Sequence, residues 1–193
     1  MESYSVIATQ PSDLDGLYAP CLPFHGSASE QELSVRHRSL VILDQVTAPV
    51  LKAYLESAST LGIIGVIHKA TPLLWVIGEH GELRFALEEV VNINTGEVNF
   101  ALPRNGPPLR VGEVRLGHPA LLDPIPYPGK KAARIGGEIF YDPVEGRADW
   151  VLSNNSGRFG KRPHINRGHL ENVRSLFLKS GIEIRCHFVP YVE

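Results

Sequence analysis

The chain has 193 residues, 43% of them hydrophobic, with 19 basic and 21 acidic side chains giving a net charge of −2. That length supports one domain with a sizeable core and is short for two. The near-neutral balance creates no global field toward nucleic acid or a membrane. Two cysteines, Cys21 and Cys186, lack Cys-X-X-Cys spacing and indicate neither a disulfide framework nor a zinc module.

Met1-Glu2-Ser3-Tyr4 lacks the basic segment and apolar stretch of a secretory signal. The longest apolar run, around Leu61 to Ile67, is interrupted by Gly62 and Gly65 and is far below membrane-spanning length. The expectation is a protein without a membrane segment, cytoplasmic or exported without a cleavable signal peptide.

Residues 1–30, rich in Pro, Ser, Asp and Gly, are expected to form an irregular N-terminal segment, and residues 31–193 a single domain. Ser39 to Asp44 is apolar and β-branched and predicts a strand. Ala48 to Ser59 places Leu51, Tyr54, Leu55 and Ala58 at helical spacing, with Thr47 as cap, Pro49 in the first turn and Gly62 as a stop. Ile63–Ile67, Leu73–Ile77 and Leu83–Leu87 read as strands, the last two joined by a turn at Glu79-His80-Gly81-Glu82. Glu89–Asn94 and Glu97–Leu102 flank Thr95-Gly96 as a second hairpin. A Pro-rich connection leads to a strand at Leu109–Leu116, and His118 to Lys131 forms a rigid loop. Gly136–Tyr141 and Asp149–Ser153 form the next strand pair. A helix follows with Leu170, Val173, Leu176 and Phe177 as its stripe, Asn166 as cap and Gly181 as stop, and Ile182–Val189 closes the fold. The sum is an α+β domain with a mostly antiparallel sheet and two main helices. No βαβ rhythm or G-X-G-X-X-G is present, which argues against a dinucleotide-binding doubly wound sheet.

Three polar clusters stand at strand ends: Gly117-His118-Pro119-Ala120, Gly136-Gly137-Glu138-Ile139 and Asn154-Asn155-Ser156-Gly157-Arg158-Phe159. Consecutive strands lie side by side, so these clusters are expected at one rim. There Glu138 would stabilise developing positive charge, His118 and Ser156 would position hydroxyls, and Asn154, Asn155 and Arg158 would hold an anion. Local roles compete with each of these. A lone His satisfies its nitrogens on backbone in many turns, and Asn and Ser build turns for their own sake.

Charge is uneven along the chain. Residues 1–100 carry a balance of −7, and residues 158–185 carry +5. The basic segment Lys161 to His169 approaches a helix amino end, which favours an anion, and makes His164 and Arg167 candidate ligands of a phosphate. A solvated basic face explains the same run. The histidines show no His-X-X-X-His spacing and no accompanying carboxylate cluster, so no metal is expected.

His25-Gly26-Ser27 resembles the His-Gly-Thr/Ser strand end on which some ADP-ribosyltransferases hold the nicotinamide ribose. Over residues 73–182, the order of clusters also resembles a domain found in plant IQ-motif proteins and in uncharacterised fungal and bacterial proteins. In that domain a Gly-turn hairpin precedes His-Ser-Ser, Ala-Gly-Glu, Ser-Gly-His-Tyr and a helix ending at Gly. Here Pro119-Ala120 stands for the serines and Arg158-Phe159 for His-Tyr. The resemblance implies a shared fold and a common site.

These readings lead to an effector- or toxin-like enzyme acting on an anionic nucleotide-type ligand by ADP-ribosyl transfer or NAD+ cleavage. NAD+ would be a substrate, with no tightly bound cofactor, and the target a protein or RNA. Two rival readings are a metal-independent ribonuclease using His118 and Arg158, and a non-catalytic protein-interaction module.

Overall fold

A computed structural model describes residues 11–104, 106–145 and 147–192. The N-terminal part holds α1 (Pro11–Tyr18), β1 (Leu22–Pro23), α2 (Glu30–Ser34), β2 (Val41–Ile42), α3 (Thr47–Thr60) and α4 (Gly62–Ala70). Strands β3 (Leu73–Ile77), β4 (Leu83–Leu87), β5 (Glu89–Asn92), β6 (Val98–Ala101) and β7 (Glu113–Leu116) follow. After a 3-10 turn at His118–Leu121 come β8 (Ala132–Ala133), β9 (Ile135–Tyr141), β10 (Trp150–Ser153), α5 (Arg167–Lys179) and β11 (Arg185–His187). The α+β class and the largely antiparallel pairing match the sequence reading.

The main sheet runs in the order β11-β10-β9-β3-β4-β2, with β11 parallel to β10 and the other pairs antiparallel. A second sheet, β6-β5-β7, continues from the end of β4, and β1 pairs with β8. Every residue of β3 is buried, because this strand is central and covered on both faces. Leu73, Trp75 and Ile77 join Leu51 and Leu55 of α3 and Leu170, Val173 and Phe177 of α5 in the larger core. Leu74 and Val76 face the other way, toward Phe24, Leu33, Leu121 and Phe159. Burial of these apolar side chains drives the assembly, at about 1.5–3 kcal/mol for each fully covered Leu, Ile, Val or Phe. The strand period of two sends Glu138 to the second face, opposite Leu74 and Ser153.

Two local expectations are corrected. Residues 11–18 of the supposedly irregular segment form a helix, since Leu14 and Tyr18, one helical turn apart, are buried in the larger core. Residues 1–10 of that segment lie outside the described residues. Ile63–Ile67, read as a strand, belongs to α4, which meets α3 at 111°. A short apolar run does not declare its period. Here the choice is made by Gly65, whose missing side chain lets α4 approach the Ala58 carbonyl, and by His68, packed edge-on between Tyr54 and Trp150. Consequently Ile63, Val66 and Ile67 point outward, at 80%, 71% and 53% exposure.

Helix boundaries show the same influence of context. Gly62 opens α4 instead of stopping α3. Asp44, not Thr47, receives the amides of Val46 and Thr47 at 2.8 Å each. Asn166 does cap α5, in a capping box completed by His169. Gly181, at φ +71°, takes the left-handed turn that ends it. No single helix among the described residues is long and apolar enough to cross a membrane.

Candidate functional site

The antiparallel pair β9–β10 sets the geometry. Gly137 stands opposite Trp75, whose indole Nε1 donates to the Ser153 carbonyl at 3.1 Å. A Cβ at Gly137 would overlap that carbonyl and the Asn154 Cα, so only glycine permits this approach. The next residue, Glu138, projects from the second face into a cleft of about 550 Å³. Its other walls come from Glu88, Arg104, Arg115 and Asn155, with Pro72 and the Pro103–Pro107 connection.

In this cleft Glu138 Oε2 accepts a hydrogen bond from Arg104 Nη2 and another from Asn155 Nδ2 at 3.3 Å. The Arg104 guanidinium also lies 5.1 Å from the Phe140 ring centroid, a cation–π contact that holds it over the strand. Arg115 Nε approaches Glu88 Oε1 at 3.5 Å. Burial raises the Glu88 pKa, and repulsion from Glu138 adds to the rise, against the pull of Arg115, His37 and Arg104. The cleft thus holds two carboxyls, two guanidiniums and an amide, a set suited to an anionic, hydroxyl-rich ligand.

The other expected site residues have different partners. His118 meets the same strand, donating Nε2–H to the Gly137 carbonyl at 2.9 Å. Burial lowers its pKa to about 4; the Gly137 hydrogen bond opposes that fall, and the positive charges of His37 and Arg158 deepen it. His118 is therefore a neutral imidazole bound to backbone, ill-suited to serve the ribonuclease reading as a base. Ser156 is buried, and its Oγ accepts from the amides of Arg158 and Phe159 at 3.3 and 3.2 Å. Asn154 is buried as well. It donates to the Gly160 and Val189 carbonyls and accepts from the Val189 amide, tying the end of β10 to the C-terminal segment.

Arg158 lies against the Phe24 ring, with Nη2 at 3.7 Å from the Glu32 carboxylate. It was expected to hold an anion, yet it already faces one of the protein's own. Its Nη1 is buried and has no hydrogen-bond partner among the described residues. His25 donates its amide to the Arg158 carbonyl at 3.2 Å and is exposed. His164 stands beside Arg162, His169 and His25; burial and then those charges lower its pKa. Arg167 opens α5 and lies 5.9 Å from the Phe188 ring centroid, away from the Glu138 cleft. Of the expected ligands, Glu138 and Asn155 share the cleft. His118 and Ser156 are bound to backbone groups outside its lining, and Arg158, His25 and His164 form a separate polar region.

Sequence reasoning missed Glu88, Arg104 and Arg115. Arg104 follows a proline and Glu88 joins two hairpins, so neither carries a spacing motif. It also missed two buried cations. Arg162 donates to the carbonyls of Leu22, Pro23 and Arg158. Lys131 donates to those of Glu32, Pro119 and Leu122. Among the described residues no group of His, Cys, Asp and Glu has a metal-holding arrangement. No family model, curated protein or solved structure significantly matches this chain.

Proposed function

We propose that the Glu138 cleft receives an anionic nucleotide-type ligand and acts at its glycosidic carbon, by NAD+ cleavage or ADP-ribosyl transfer. The observation that carries this reading is the Glu138 carboxylate, held at a polar cleft by Arg104 and Asn155. An oxocarbenium-like centre beside Glu138 would be stabilised by that carboxylate. The pyrophosphate would exchange the carboxylate contacts of Arg104 and Arg115 for its own oxygens, which accept guanidinium forks well.

A direct test is nicotinamide release from NAD+. Glu138→Gln should lower that release by about 10²-fold or more, the scale of a lost electrostatic stabiliser, while barely moving the melting temperature. Cleavage of RNA that requires His118, with NAD+ untouched, would transfer the reading to a ribonuclease.

One observation favours a second reading, a non-catalytic interaction module. His118 and Ser156, the expected catalytic partners of Glu138, and Asn154, expected to hold an anion, are all bound to backbone groups. Absence of turnover with every nucleotide, together with partner binding that Arg104→Ala and Glu138→Gln disrupt, would support it.

A further inference from the structure

We propose that Glu88 is the general base of the Glu138 cleft, taking the proton from the acceptor, water or a target hydroxyl, that attacks the glycosidic carbon. The inference rests on the glycosidic reading of the cleft and assigns its second carboxyl a role.

Glu88 and Glu89 are neighbours with opposite surroundings. Glu89 turns inward. Burial alone would raise its pKa, but the His37 ring 3.6 Å away and hydrogen bonds from the Ser39 and Arg38 amides bring it down to about 2. It is a fixed structural anion. Glu88 turns toward the cleft between β4 and β5, its position set by the backbone bond from the Leu102 amide to its own carbonyl at 2.6 Å. Its side chain is 19% exposed. The charged groups around it are Arg115 on β7, Glu138 on β9, Arg104 in the connection after β6, and His37 before β2. Burial and the Glu138 charge outweigh the three cations, so Glu88 holds a proton more readily than an ordinary carboxyl.

Two carboxyls in one cleft with different partners take different roles. Glu138, hydrogen-bonded by a guanidinium and an amide, serves as the anion. Glu88, richer in proton affinity, serves as the proton carrier. The chemistry of NAD+ decides on which side. When the C1′–N bond breaks, its electron pair goes to the pyridinium nitrogen, and nicotinamide leaves neutral without a proton. The acceptor oxygen forms the new bond to C1′ and must lose a proton; Glu88 takes it and passes it to solvent.

The experiment compares the full chain with Glu88→Gln and Glu138→Gln, using NAD+ with and without azide, and follows carboxyl carbon shifts by NMR titration. Glu88→Gln should slow hydrolysis by about 10²-fold, the usual scale of a general base. Azide, which has no proton to remove, should restore turnover in that variant as the ribosyl azide, and should not restore Glu138→Gln. The Glu88 carboxyl should titrate above the ordinary range and fall toward it in Glu138→Gln. Unchanged hydrolysis by Glu88→Gln, or ordinary titration of Glu88, would overturn the base assignment alone. A wild-type chain that releases no nicotinamide would overturn the NAD+ reading and the assignment with it.

Discussion

Asn154 and Asn155 are adjacent in sequence and differ in use. Asn154 belongs to a buried polar region, with His118, Ser156, Arg162 and Lys131, in which side chains satisfy backbone groups. Asn155 belongs to the open cleft of Glu88, Arg104, Arg115 and Glu138, where charged side chains face one another and solvent. Asn and Arg occur in both, while the carboxylates belong to the cleft alone. What separates them is the partner. A buried N–H or carbonyl left unpaired costs about 1–3 kcal/mol, so the first region is fixed by the fold. Exposed ion pairs contribute about 0–1 kcal/mol, so the second can exchange its contacts for those of a ligand.

The largest disruption should come at the strand that joins the two regions. Gly137→Ala would drive a Cβ into the Ser153 carbonyl and force β9 from β10, costing on the order of 4–5 kcal/mol. Urea denaturation would measure it, and a near-native midpoint would show that the two regions are not coupled through this pair.

Arg162→Ala comes next. It removes the donors to three backbone carbonyls in a fully buried place and should cost about 3–4 kcal/mol. Arg162→Lys should recover little of that, since a single ammonium cannot reproduce the planar fork. Full recovery would mean that charge alone, not geometry, holds the segment around Leu22 and Pro23.

Acid separates the regions further. The pKa of His118 is about 4 in the fold, mainly through burial, against an ordinary 6.5. Between these values the unfolded chain binds a proton that the folded chain does not. The contribution is therefore complete above pH 6.5 and is lost as pH falls through about 4, on the order of 3 kcal/mol in all. Glu89, depressed to about 2 from 4.5, acts in the same direction at lower pH. Denaturation midpoints of the wild type should fall across the upper window, and His118→Gln should flatten that slope. An unchanged slope would remove His118 from the acid response.

The smallest effect on stability should come from the cleft. Arg104→Ala breaks a pair in which the guanidinium is 42% exposed, so it should cost less than about 1 kcal/mol. Binding of ADP-ribose, read by calorimetry, should nevertheless weaken by about 1.5–3 kcal/mol, the scale of a charged hydrogen bond. Equal binding by wild type and variant would show that the cleft does not hold its ligand through Arg104.

Local patterns made much of this protein legible from its sequence. Leu73–Ile77 and Leu83–Leu87 pair as read, around a turn in which Gly81 adopts φ +85°. The Asn166 cap and the Leu170, Val173 and Phe177 stripe define α5. Glu138 stands out in the Gly-Gly-Glu opening of a strand, and Asn155 in its cluster of short polar residues. These signals reside within a few positions of each other, where backbone sterics and periodicity act directly. Tertiary structure decided what such signals leave open. It made α4 a helix because Gly65 and His68 pack where a strand would not. It divided Asn154 from Asn155, since strand alternation and the turn at Ser156 send one side chain inward and the other to the cleft. It also brought Arg104 to Glu138, 34 positions away. That meeting depends on how the β6-β5-β7 sheet continues from the main one, and contacts of such range leave no mark in the spacing of the residues that make them.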